Sequence, residues 1–381
     1  MKANIIILVF IFSISCSSFS RQSHEETQIE TIIEIPPLVE DKMLDTSRIS
    51  SVQFIPLETR QGVVLEGIDE IEVGENRVYI LDRKQESIFI FDKSGNYINR
   101  ISKKGRGPDE YNYIVDFGVY ENTNGIEIYD HRRLILYDMN GKFLSSKSVP
   151  FFAGSFVKTE NGYVFFADNH CNEQFCDNLI FCDNELNITS TALPVKDNFR
   201  NIKYSEGRRL LRIGGGIKLV TYDDFIYTLS SSSIINKEKP VFEGSTTPKV
   251  FYEQKFTSLN DFVIKSLSNP NTGFINNYKE NDSYTYFRMY KKGSSYNYIY
   301  NKHTGFEISY RGIESELFFR EILDLYNNEL YSYFSAITLI EKIHSLSELN
   351  QFDQKLLKAN ETKLFNVKET DNPIIMIYKV D

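Results

Sequence analysis

The densest group of charged side chains on one motif lies in a glycine-rich stretch. It holds four residues able to contact a ligand, Arg106, Asp109, Glu110 and Tyr111. A guanidinium, two carboxylates and a phenol in close sequence offer both donors and acceptors to a polar molecule. The same groups also suit a structural role, in which Arg106 and Glu110 pair with each other or with backbone groups. The motif favours this structural role and keeps ligand contact as the alternative.

Two aspartates at equivalent positions form a second candidate set. Asp82 and Asp130 each end a predicted strand, and His131 follows the second aspartate directly. Aspartates in such positions accept hydrogen bonds from turn amides. If they converged on a shared axis, their carboxylates would instead offer oxygen ligands to a cation such as Ca²⁺. We therefore expect turn formation, with ligand or Ca²⁺ binding as the alternative, and we predict no other cofactor.

The cysteine spacing in the middle of the chain favours a disulfide over a metal site. Four residues separate Cys171 from Cys176, whereas Cys182 lies in an apolar run. In an oxidising compartment a disulfide is expected to persist. His170 adjoins Cys171, but Cys-x4-Cys-x5-Cys is no standard zinc pattern and has no clear fourth ligand. We expect a Cys171–Cys176 disulfide, with free thiols as the alternative, and we predict no metal site.

The sequence carries no recognisable catalytic signature. It contains no Gly-x-Ser-x-Gly motif, and the glycine-rich stretch at 212–217 is not followed by the Gly-Lys-Ser/Thr of a phosphate loop. Its five histidines form no metal-spaced pair. A glycosidase needs two carboxylates that can lie far apart in sequence. That alternative stays open, although no particular pair is indicated.

The elements that must position these residues are short strands in a repeat. Two strands and a turn occur at 77–95 and again at 125–141, and a weaker copy spans 162–183. The equivalent turn aspartates lie 46 and 45 residues apart: Asp92, Asp138 and Asp183. A repeat of this length, built of short strands, is typical of a β-propeller with one four-stranded blade per repeat. The sequence therefore predicts an all-β propeller of six or seven blades.

The two ends of the predicted propeller contain strands that would close the ring. Strands predicted at 51–57 and 372–380 would pair and remove the exposed edges of an open row of blades. Apolar residues at helical spacing over 254–268 and 338–360 predict one or two helices inserted between strands. We expect these helices to pack over one face of the disc, with partner docking as the alternative.

The N-terminus has the composition of an export signal. Lys2 gives a basic start, an apolar run extends from Ile5 to Ile14 with one break at Ser13, and small residues precede Cys16. The run is shorter than the about 20 residues that a spanning helix needs. We predict a lipoprotein signal peptide over 1–15 and lipidation of Cys16, with an ordinary signal peptide as the alternative.

The N-terminal prediction sets the domain boundaries. Residues 16–45 are expected to form a lipid-anchored tether, or in part a first edge strand. Residues 46–381 are expected to form the propeller domain.

Composition limits the classes of partner. The formal net charge is −9, which argues against a general nucleic-acid binder because such proteins need a basic surface. The chain has 24 tyrosines and 29 phenylalanines but no tryptophan, and aromatic side chains suit pleated strands. We expect most of these rings in the core, with some exposed tyrosines suited to stacking on sugars.

The chain resembles the six-bladed β-propeller lipoproteins of Bacteroidetes, an NHL/TolB-like group. The resemblance is carried by residues 54–59, by the strand pair at 79–95, and by Gly105–Tyr111, which is similar to the family's Gly-x-Gly-Pro-x-Glu-Tyr connection. It is specific over residues 50–145 and diffuse beyond them. The resemblance implies six blades and a location in the cell envelope, and it implies no defined activity.

Together these observations predict a lipid-anchored binding module of the cell envelope. Its partner would be a glycan, a peptide or an envelope protein, and it would touch the membrane through the N-terminal lipid alone. We expect it at the outer membrane of a Gram-negative bacterium. Two other functions remain compatible: a structural subunit of an envelope complex that docks through 338–360, and a glycoside hydrolase or lyase with channel-facing carboxylates.

Overall fold

The structure is a computed structural model of the chain. It describes residues 29–37, 43–203, 208–214, 216–221, 225–242, 247–269, 273–291, 294–313, 315, 317, 321–364 and 366–381. In this part of the chain the strands form six blades of four antiparallel strands arranged in a ring, one of which gains a fifth, parallel strand; the repeat and the resemblance predicted such a ring. Within a blade, the strands follow chain order from the channel outward, except that a strand from the N-terminal part of the chain is the outer strand of the last blade.

The strand bounds are as follows. Three strands precede the first complete blade: β1 (Ile29–Ile35), β2 (Met43–Leu44) and β3 (Ile49–Pro56). Blade 1 contains β4 (Glu70–Val73), β5 (Arg77–Asp82), β6 (Ser87–Asp92) and β7 (Tyr97–Ile101). Blade 2 contains β8 (Asp116–Tyr120), β9 (Gly125–Tyr129), β10 (Arg133–Asp138) and β11 (Phe143–Ser148). Blade 3 contains β12 (Ser155–Thr159), β13 (Gly162–Phe166), β14 (Asp177–Asp183) and β15 (Ile188–Pro194).

The second half of the ring is built in the same way. Blade 4 contains β16 (Leu210–Ile213), β17 (Gly216–Val220), β18 (Ile226–Leu229) and β19 (Ile234–Phe242). Blade 5 contains β20 (Gly273–Glu280), β21 (Tyr284–Lys291), β22 (Ser294–Asn301) and β23 (Glu307–Tyr310). After β24 (Gly312–Ile313), which pairs with β2, blade 6 contains β25 (Asp324–Tyr326), β26 (Glu329–Phe334), β27 (Ile374–Val380) and β3.

The N-terminal strand β3 closes the ring as the outer strand of blade 6. It pairs antiparallel with β27, in a register that places Pro56 opposite Ile374 and Ile49 opposite Val380. The pairing joins the two ends of the propeller and leaves no open row of blades. This confirms the predicted closure.

The strand β1 extends blade 4 rather than remaining part of a tether. It pairs parallel with β19, and Ile29 lies opposite Asn236 while Ile35 lies opposite Phe242. Blade 4 therefore has a fifth strand on its outside. The sequence left two structures open for residues 16–45, a tether or in part an edge strand. The described part of this range contains the strand from Ile29, so the propeller begins before residue 46.

The repeated turn aspartates hold the tight turns between third and fourth strands. Each carboxylate accepts the amides two and four residues further on: Asp92 from Ser94 and Asn96, Asp138 from Asn140 and Lys142, Asp183 from Glu185 and Asn187, all at 2.8–2.9 Å. In blades 5 and 4 the acceptor differs, and it binds the amides two and three residues further on: Asn301 Oδ1 accepts from His303 and Thr304, and Ser230 Oγ accepts from Ser232 and Ser233. The repeat fades in sequence because the turn acceptor changes.

A hydrophobic cluster fills each interface between neighbouring blades. Between blades 1 and 2, for example, Ile88 and Ile90 pack with Tyr137, and all three are fully buried. Strands in the middle of a blade are covered on both sides, which explains the continuous apolar run in β6. Outer strands are less covered, and four of the six residues of β11 are exposed.

Two helical insertions interrupt the blade pattern. The helices α1 (Lys249–Tyr252) and α2 (Leu259–Ser268) lie between blades 4 and 5. The helices α3 (Ala336–His344), α4 (Gln351–Ala359) and α5 (Glu361–Leu364) lie between β26 and β27. The single apolar stripe at 338–360 thus forms two helices, because Asn350 ends the connection and caps α4 by accepting the Asp353 amide at 2.9 Å. Within the described residues, each helix is too short or too polar to cross a bilayer.

The antiparallel order of each blade sorts its connections onto two opposite faces. The face that we call the turn face carries the first-to-second and third-to-fourth strand turns, at 74–76, 93–96, 121–124, 139–142, 160–161, 184–187 and 230–233. The opposite face, which we call the loop face, carries the second-to-third turns and the blade-to-blade connections, including 57–69, 83–86, 102–115, 130–132, 149–154, 167–176 and 195–203. Both helical insertions belong to connections of the loop face.

Candidate functional site

An open cavity of about 510 Å³ lies over the ring on the loop face. Connections from blades 1 to 4 supply most of its lining residues: Glu70, Arg83, Tyr113, Ile114, Val115, His131, Phe152, Gly154, Asp168, His170, Lys203 and Arg208. Its volume lies within the range of about 300–1,000 Å³ that is usual for ligand sites. We call it the loop-face cavity.

Exposed aromatic rings form one wall of the loop-face cavity. Tyr113 is 43% exposed and Phe152 is 55% exposed, which is unusual in a chain whose aromatic residues mostly fill the core. The imidazole of His131 lies between them, with its centroid 5.1 Å from that of Tyr113 and 5.7 Å from that of Phe152. The His170 ring lies 6.2 Å beyond Phe152. These rings offer apolar faces to a bound molecule.

His131 combines an uncommon backbone conformation with an unused polar atom. Its φ of 68° lies in the left-handed region, which costs free energy for a residue other than glycine. Its Nδ1 atom is buried and has no hydrogen-bond partner among the described residues. Burial lowers the pKa of this imidazole, and the nearby His170 adds to the effect. The His131 side chain therefore lines the cavity, while its Nδ1 atom is enclosed by the protein rather than open to a ligand.

The second-to-third turn of blade 3, which carries His170, forms the adjoining part of the lining. Asp168 and Asn169 are consecutive left-handed residues, with φ values of 52° and 58°. The buried Asn169 side chain donates to the Ile202 carbonyl at 2.8 Å and accepts from Asn178 at 2.9 Å. Lys203 Nζ donates to the Asn169 carbonyl at 2.7 Å and to the Asp168 carbonyl at 3.2 Å. This turn is thus tied to the connection that leads into blade 4.

A buried arginine forms the floor of the cavity and crosses the channel. Arg208 precedes the inner strand of blade 4, and its Nε atom lies 2.8 Å from Glu70 Oε1 and 3.1 Å from Asp116 Oδ1. Its Nη1 atom lies 3.0 Å from Glu72 Oε2, and its Nη2 atom donates to the Phe117 carbonyl. Blade 4 is thereby joined to blades 1 and 2 across the axis. We call these four charged residues (Arg208, Glu70, Glu72 and Asp116) the channel cluster.

The channel carboxylates also bridge neighbouring inner strands. Glu72 accepts the Val119 amide at 3.1 Å, which joins blade 1 to blade 2. Asp116 accepts the Phe156 amide at 2.9 Å and so joins blade 2 to blade 3. Asp324 of blade 6 accepts the amide of Val73 in blade 1 at 2.8 Å. These carboxylates serve the ring itself, which leaves them less suited to catalysis.

Burial of several carboxylates around one guanidinium changes their proton affinity. Desolvation raises the pKa of Glu72 to about 7 and that of Asp116 to about 6, although Arg208 opposes both shifts. Desolvation also raises the pKa of Asp324. The channel therefore takes up protons close to neutral pH.

The predicted aspartates hold turns beside the cavity. The buried Asp82 carboxylate accepts the amides of Glu66 at 2.7 Å and Gln85 at 3.1 Å. Asp130 accepts the amides of Arg132 and Arg133 at 3.1 and 2.9 Å. Of the candidate set Asp82, Asp130 and His131, His131 lines the cavity. Both carboxylates already serve as the turn acceptors that the sequence favoured.

The glycine-rich motif supports the cavity from outside it. Glu110 Oε2 accepts the Gly107 amide at 2.7 Å, and the buried Tyr111 hydroxyl donates to the Glu86 carbonyl at 2.8 Å. The Asp109 carbonyl accepts the Tyr137 hydroxyl at 2.8 Å, while Arg106 is exposed. Arg106, Asp109, Glu110 and Tyr111 lie outside the cavity lining, and the motif fixes the connection that presents Tyr113.

The cysteine residues fall into three environments. Cys171 and Cys176 form a disulfide, with Cα atoms 4.3 Å apart, next to the His170 wall of the cavity. Cys182 is buried as a free thiol. The predicted lipidation site Cys16 lies outside the described residues. Among the residues that are described, no three His, Cys, Asp or Glu side chains are grouped so that they could hold a metal ion.

Several residues of the site had no local signal in the sequence. Arg208 and Glu70 are 138 positions apart. Phe152 lies between two blades in a connection whose path the repeat does not define. A positive φ at His131 is likewise invisible in a sequence. The sequence offered a signal for His131, because this residue directly follows Asp130, which is equivalent to Asp82 in the preceding repeat.

The fold is similar to that of solved Bacteroides proteins. A candidate exported protein of Bacteroides fragilis aligns with a TM-score of 0.75 at 19% identity, over 92% of this chain and 100% of that chain. A member of the DUF4221 family from Bacteroides vulgatus aligns with a TM-score of 0.48 at 10% identity, over 87% of this chain and 97% of that one. At these identities the first likeness shows the propeller fold alone.

Sequence comparison identifies a family without assigning an activity. No curated protein sequence matches the chain. The model of a domain of unknown function, DUF4934, matches residues 30–379, and the chain therefore belongs to the DUF4934 family.

Proposed function

We propose that this protein is a non-catalytic binding module of the cell envelope that captures a glycan in the loop-face cavity. The observation that carries the proposal is the aromatic wall, in which the exposed rings of Tyr113 and Phe152 flank the imidazole of His131. Ligand sites combine apolar surface with a few oriented polar groups in this way.

A glycan suits the cavity better than a peptide or a protein surface does. A sugar ring has an apolar face, which stacks on an aromatic ring, and a hydroxyl edge, which exchanges hydrogen bonds. Phe152 and Tyr113 supply the rings, while the partly exposed Lys203 supplies a polar contact. The volume of about 510 Å³ suits a short oligosaccharide and is concave, whereas a protein partner would favour a flatter and wider surface.

The use of the nearby carboxylates supports binding without chemistry. Asp82 and Asp130 hold turns, and Glu72 and Asp116 bridge blades and pair with Arg208. A general acid or base must be free to exchange a proton with the substrate. These groups are already committed to the framework, which disfavours the hydrolase or lyase alternative.

The envelope location rests on the N-terminal sequence. The resemblance of residues around Cys16 to a lipobox supports a lipid anchor, and outer-membrane attachment in a Gram-negative bacterium follows from it as part of the proposal. The similar protein of Bacteroides fragilis is described as a candidate exported protein, which agrees with secretion. The kinship to NHL/TolB-like propeller lipoproteins belongs to the same proposal.

A glycan panel with matched variants tests the proposal. We expect wild-type protein to bind a member of the panel in isothermal titration calorimetry and to melt at higher temperature with it, since a ligand at 100 times its Kd adds about 2.7 kcal/mol of stability. Phe152→Ala should weaken this binding about tenfold, equivalent to about 1.4 kcal/mol. Leu144→Ala is the control, because Leu144 is 49% exposed on an outer strand away from the cavity.

Two results would contradict the proposal. One is a wild-type protein that binds no glycan of the panel. The other is equal weakening of glycan binding by the cavity variant and by the outer-strand variant.

A further inference from the structure

We infer that the membrane-attached protein turns its loop face away from the bilayer and its turn face toward it. The inference rests on lipidation of Cys16, which is part of the proposed function. It adds the orientation of the cavity, which neither the family nor the lipobox supplies.

The direction of β1 determines the face from which the N-terminal segment departs. The strand β19 begins just after the turn at 230–233, which belongs to the turn face, and it leads toward the loop face. Because β1 is parallel to β19, it runs in the same direction. Ile29, opposite Asn236, therefore lies near the turn face, while Ile35 lies near the loop face. A chain that arrives from Cys16 joins the propeller at the turn face.

The number of residues before β1 keeps the anchor on that side. Thirteen peptide steps separate Cys16 from Ile29. Even at full extension a segment of this length spans no more than about 45 Å, at about 3.3–3.6 Å per residue. To place the lipid beyond the loop face, this segment would have to run back along the whole of β1, which is about 20 Å long, and then past the loop-face connections. Only a nearly fully stretched segment would do so, at about 3.3–3.6 Å per residue.

The exposed apolar residues are distributed in agreement with this orientation. On the loop face they include Val64, Tyr113, Phe152, Val250, Ile264 and Ile337. Among the described residues, none of the exposed large hydrophobic side chains lies in the turns of the turn face, although Ile98, Leu144 and Ile235 are exposed on outer strands two residues beyond such turns. Those turns expose polar residues such as Asn76, Ser94 and Asn140. The turn face suits a hydrated layer beside lipid headgroups, and the loop face suits a ligand or partner arriving from the aqueous side.

Energy transfer from two labelled sites to a lipid dye tests the orientation. Asn140→Cys places a donor on the turn face of blade 2, and Asn112→Cys places one on the loop face beside the same blade; both positions are exposed. Each full-length lipidated variant is reconstituted in phosphatidylethanolamine/phosphatidylglycerol vesicles that carry an acceptor dye in the outer leaflet. We expect about twofold higher transfer from position 140, because strands of this length separate the sites by about 20 Å.

Two controls accompany the comparison. Cys16→Ser should abolish flotation with the vesicles. A Gly/Ser insertion of about 30 residues before Ile29 should reduce the difference between the sites, because it lengthens the reach of the anchor.

The outcomes separate the orientation from the proposed function. Equal transfer from the two sites, or higher transfer from position 112, would overturn the orientation and leave the anchor intact. Flotation that Cys16→Ser does not change would refute lipid anchoring at this residue and the orientation with it. Higher transfer from position 140 that falls with the longer linker would support the inference.

Discussion

Replacing Arg208 with methionine should destabilise the whole ring, because this side chain neutralises the buried carboxylates of the channel cluster. The guanidinium is 15% exposed and lies within 3.1 Å of oxygen atoms of Glu70, Glu72 and Asp116. Methionine fills a similar volume and brings no charge. Among the described residues, the three carboxylates would then keep only Arg83, whose guanidinium lies 3.6 Å from Glu70, as a cationic partner.

The size of the effect follows from the cost of breaking a buried ion pair. Removing one partner typically costs about 3–5 kcal/mol, because the other charge stays buried and unpaired. At about 2.1 cal/mol/K per residue, the entropy of unfolding of a body this size is about 0.7 kcal/mol/K. Arg208→Met should therefore lower the Tm at pH 7 by about 4–7 °C.

Calorimetry or a dye-based melt at fixed pH and protein concentration measures this change. Arg132→Met is the matched control, because Arg132 is exposed and a surface substitution changes stability by no more than about 0.5 kcal/mol. Adding Asp116→Asn to Arg208→Met should restore part of the loss, since one unpaired charge disappears. A Tm of Arg208→Met equal to that of the control, or a double variant less stable than the single, would refute the role assigned to the cluster.

Three further predictions address charge, backbone and closure. Burial raises the pKa of Glu72 to about 7 from 4.5, so the folded state holds the extra proton in this window and stability falls as pH rises through it. Urea titrations should therefore show that the free energy of unfolding of Glu72→Gln rises by about 1–3 kcal/mol relative to that of wild type between pH 5 and pH 8. A difference that does not change with pH would contradict the raised pKa of Glu72. His131→Asn should change the free energy of unfolding by no more than about 1 kcal/mol, since asparagine tolerates the left-handed region. The same variant should bind the glycan more weakly in calorimetry, and undiminished affinity would show that His131 is not part of the site. Asn372→Ala should cost about 2–4 kcal/mol, because the buried amide accepts from the Leu65 amide and donates to the Glu58 and Val63 carbonyls. Exposed Asn328→Ala serves as its control, and an equal melting temperature for these two asparagine variants would argue against a stabilising role of the Asn372 hydrogen bonds.

The propeller was predictable because its local signals repeat. The turn aspartates at 92, 138 and 183 each bind the same two amides, so the same residue type recurs at the same spacing. Closure by β3 and β27 followed from the need to cover strand edges. Later blades were harder to recognise, since Asn301 and Ser230 replace the aspartate and perform the same task with a different side chain.

The site was much less predictable than the fold. The residues of the channel cluster come together only after the ring closes, and the pairing of Arg208 with Glu70 leaves no trace in local spacing. The glycine-rich motif was a candidate for ligand contact because it contains several charged side chains close together in sequence. In the structure, Glu110 and Tyr111 bind backbone groups and hold a connection. The parallel pairing of β1 was also hidden, because a seven-residue amphipathic segment does not indicate which strand it will join.

The measurement that tests the central claim most directly is hydrogen exchange with and without the best-binding glycan of the panel. If the loop-face cavity is the binding site, protection should concentrate in the connections at 111–115, 149–154 and 167–171, which present Tyr113, Phe152 and the blade 3 turn. Protection confined to the turn face or to the helices at 336–364, with these connections unchanged, would contradict the account.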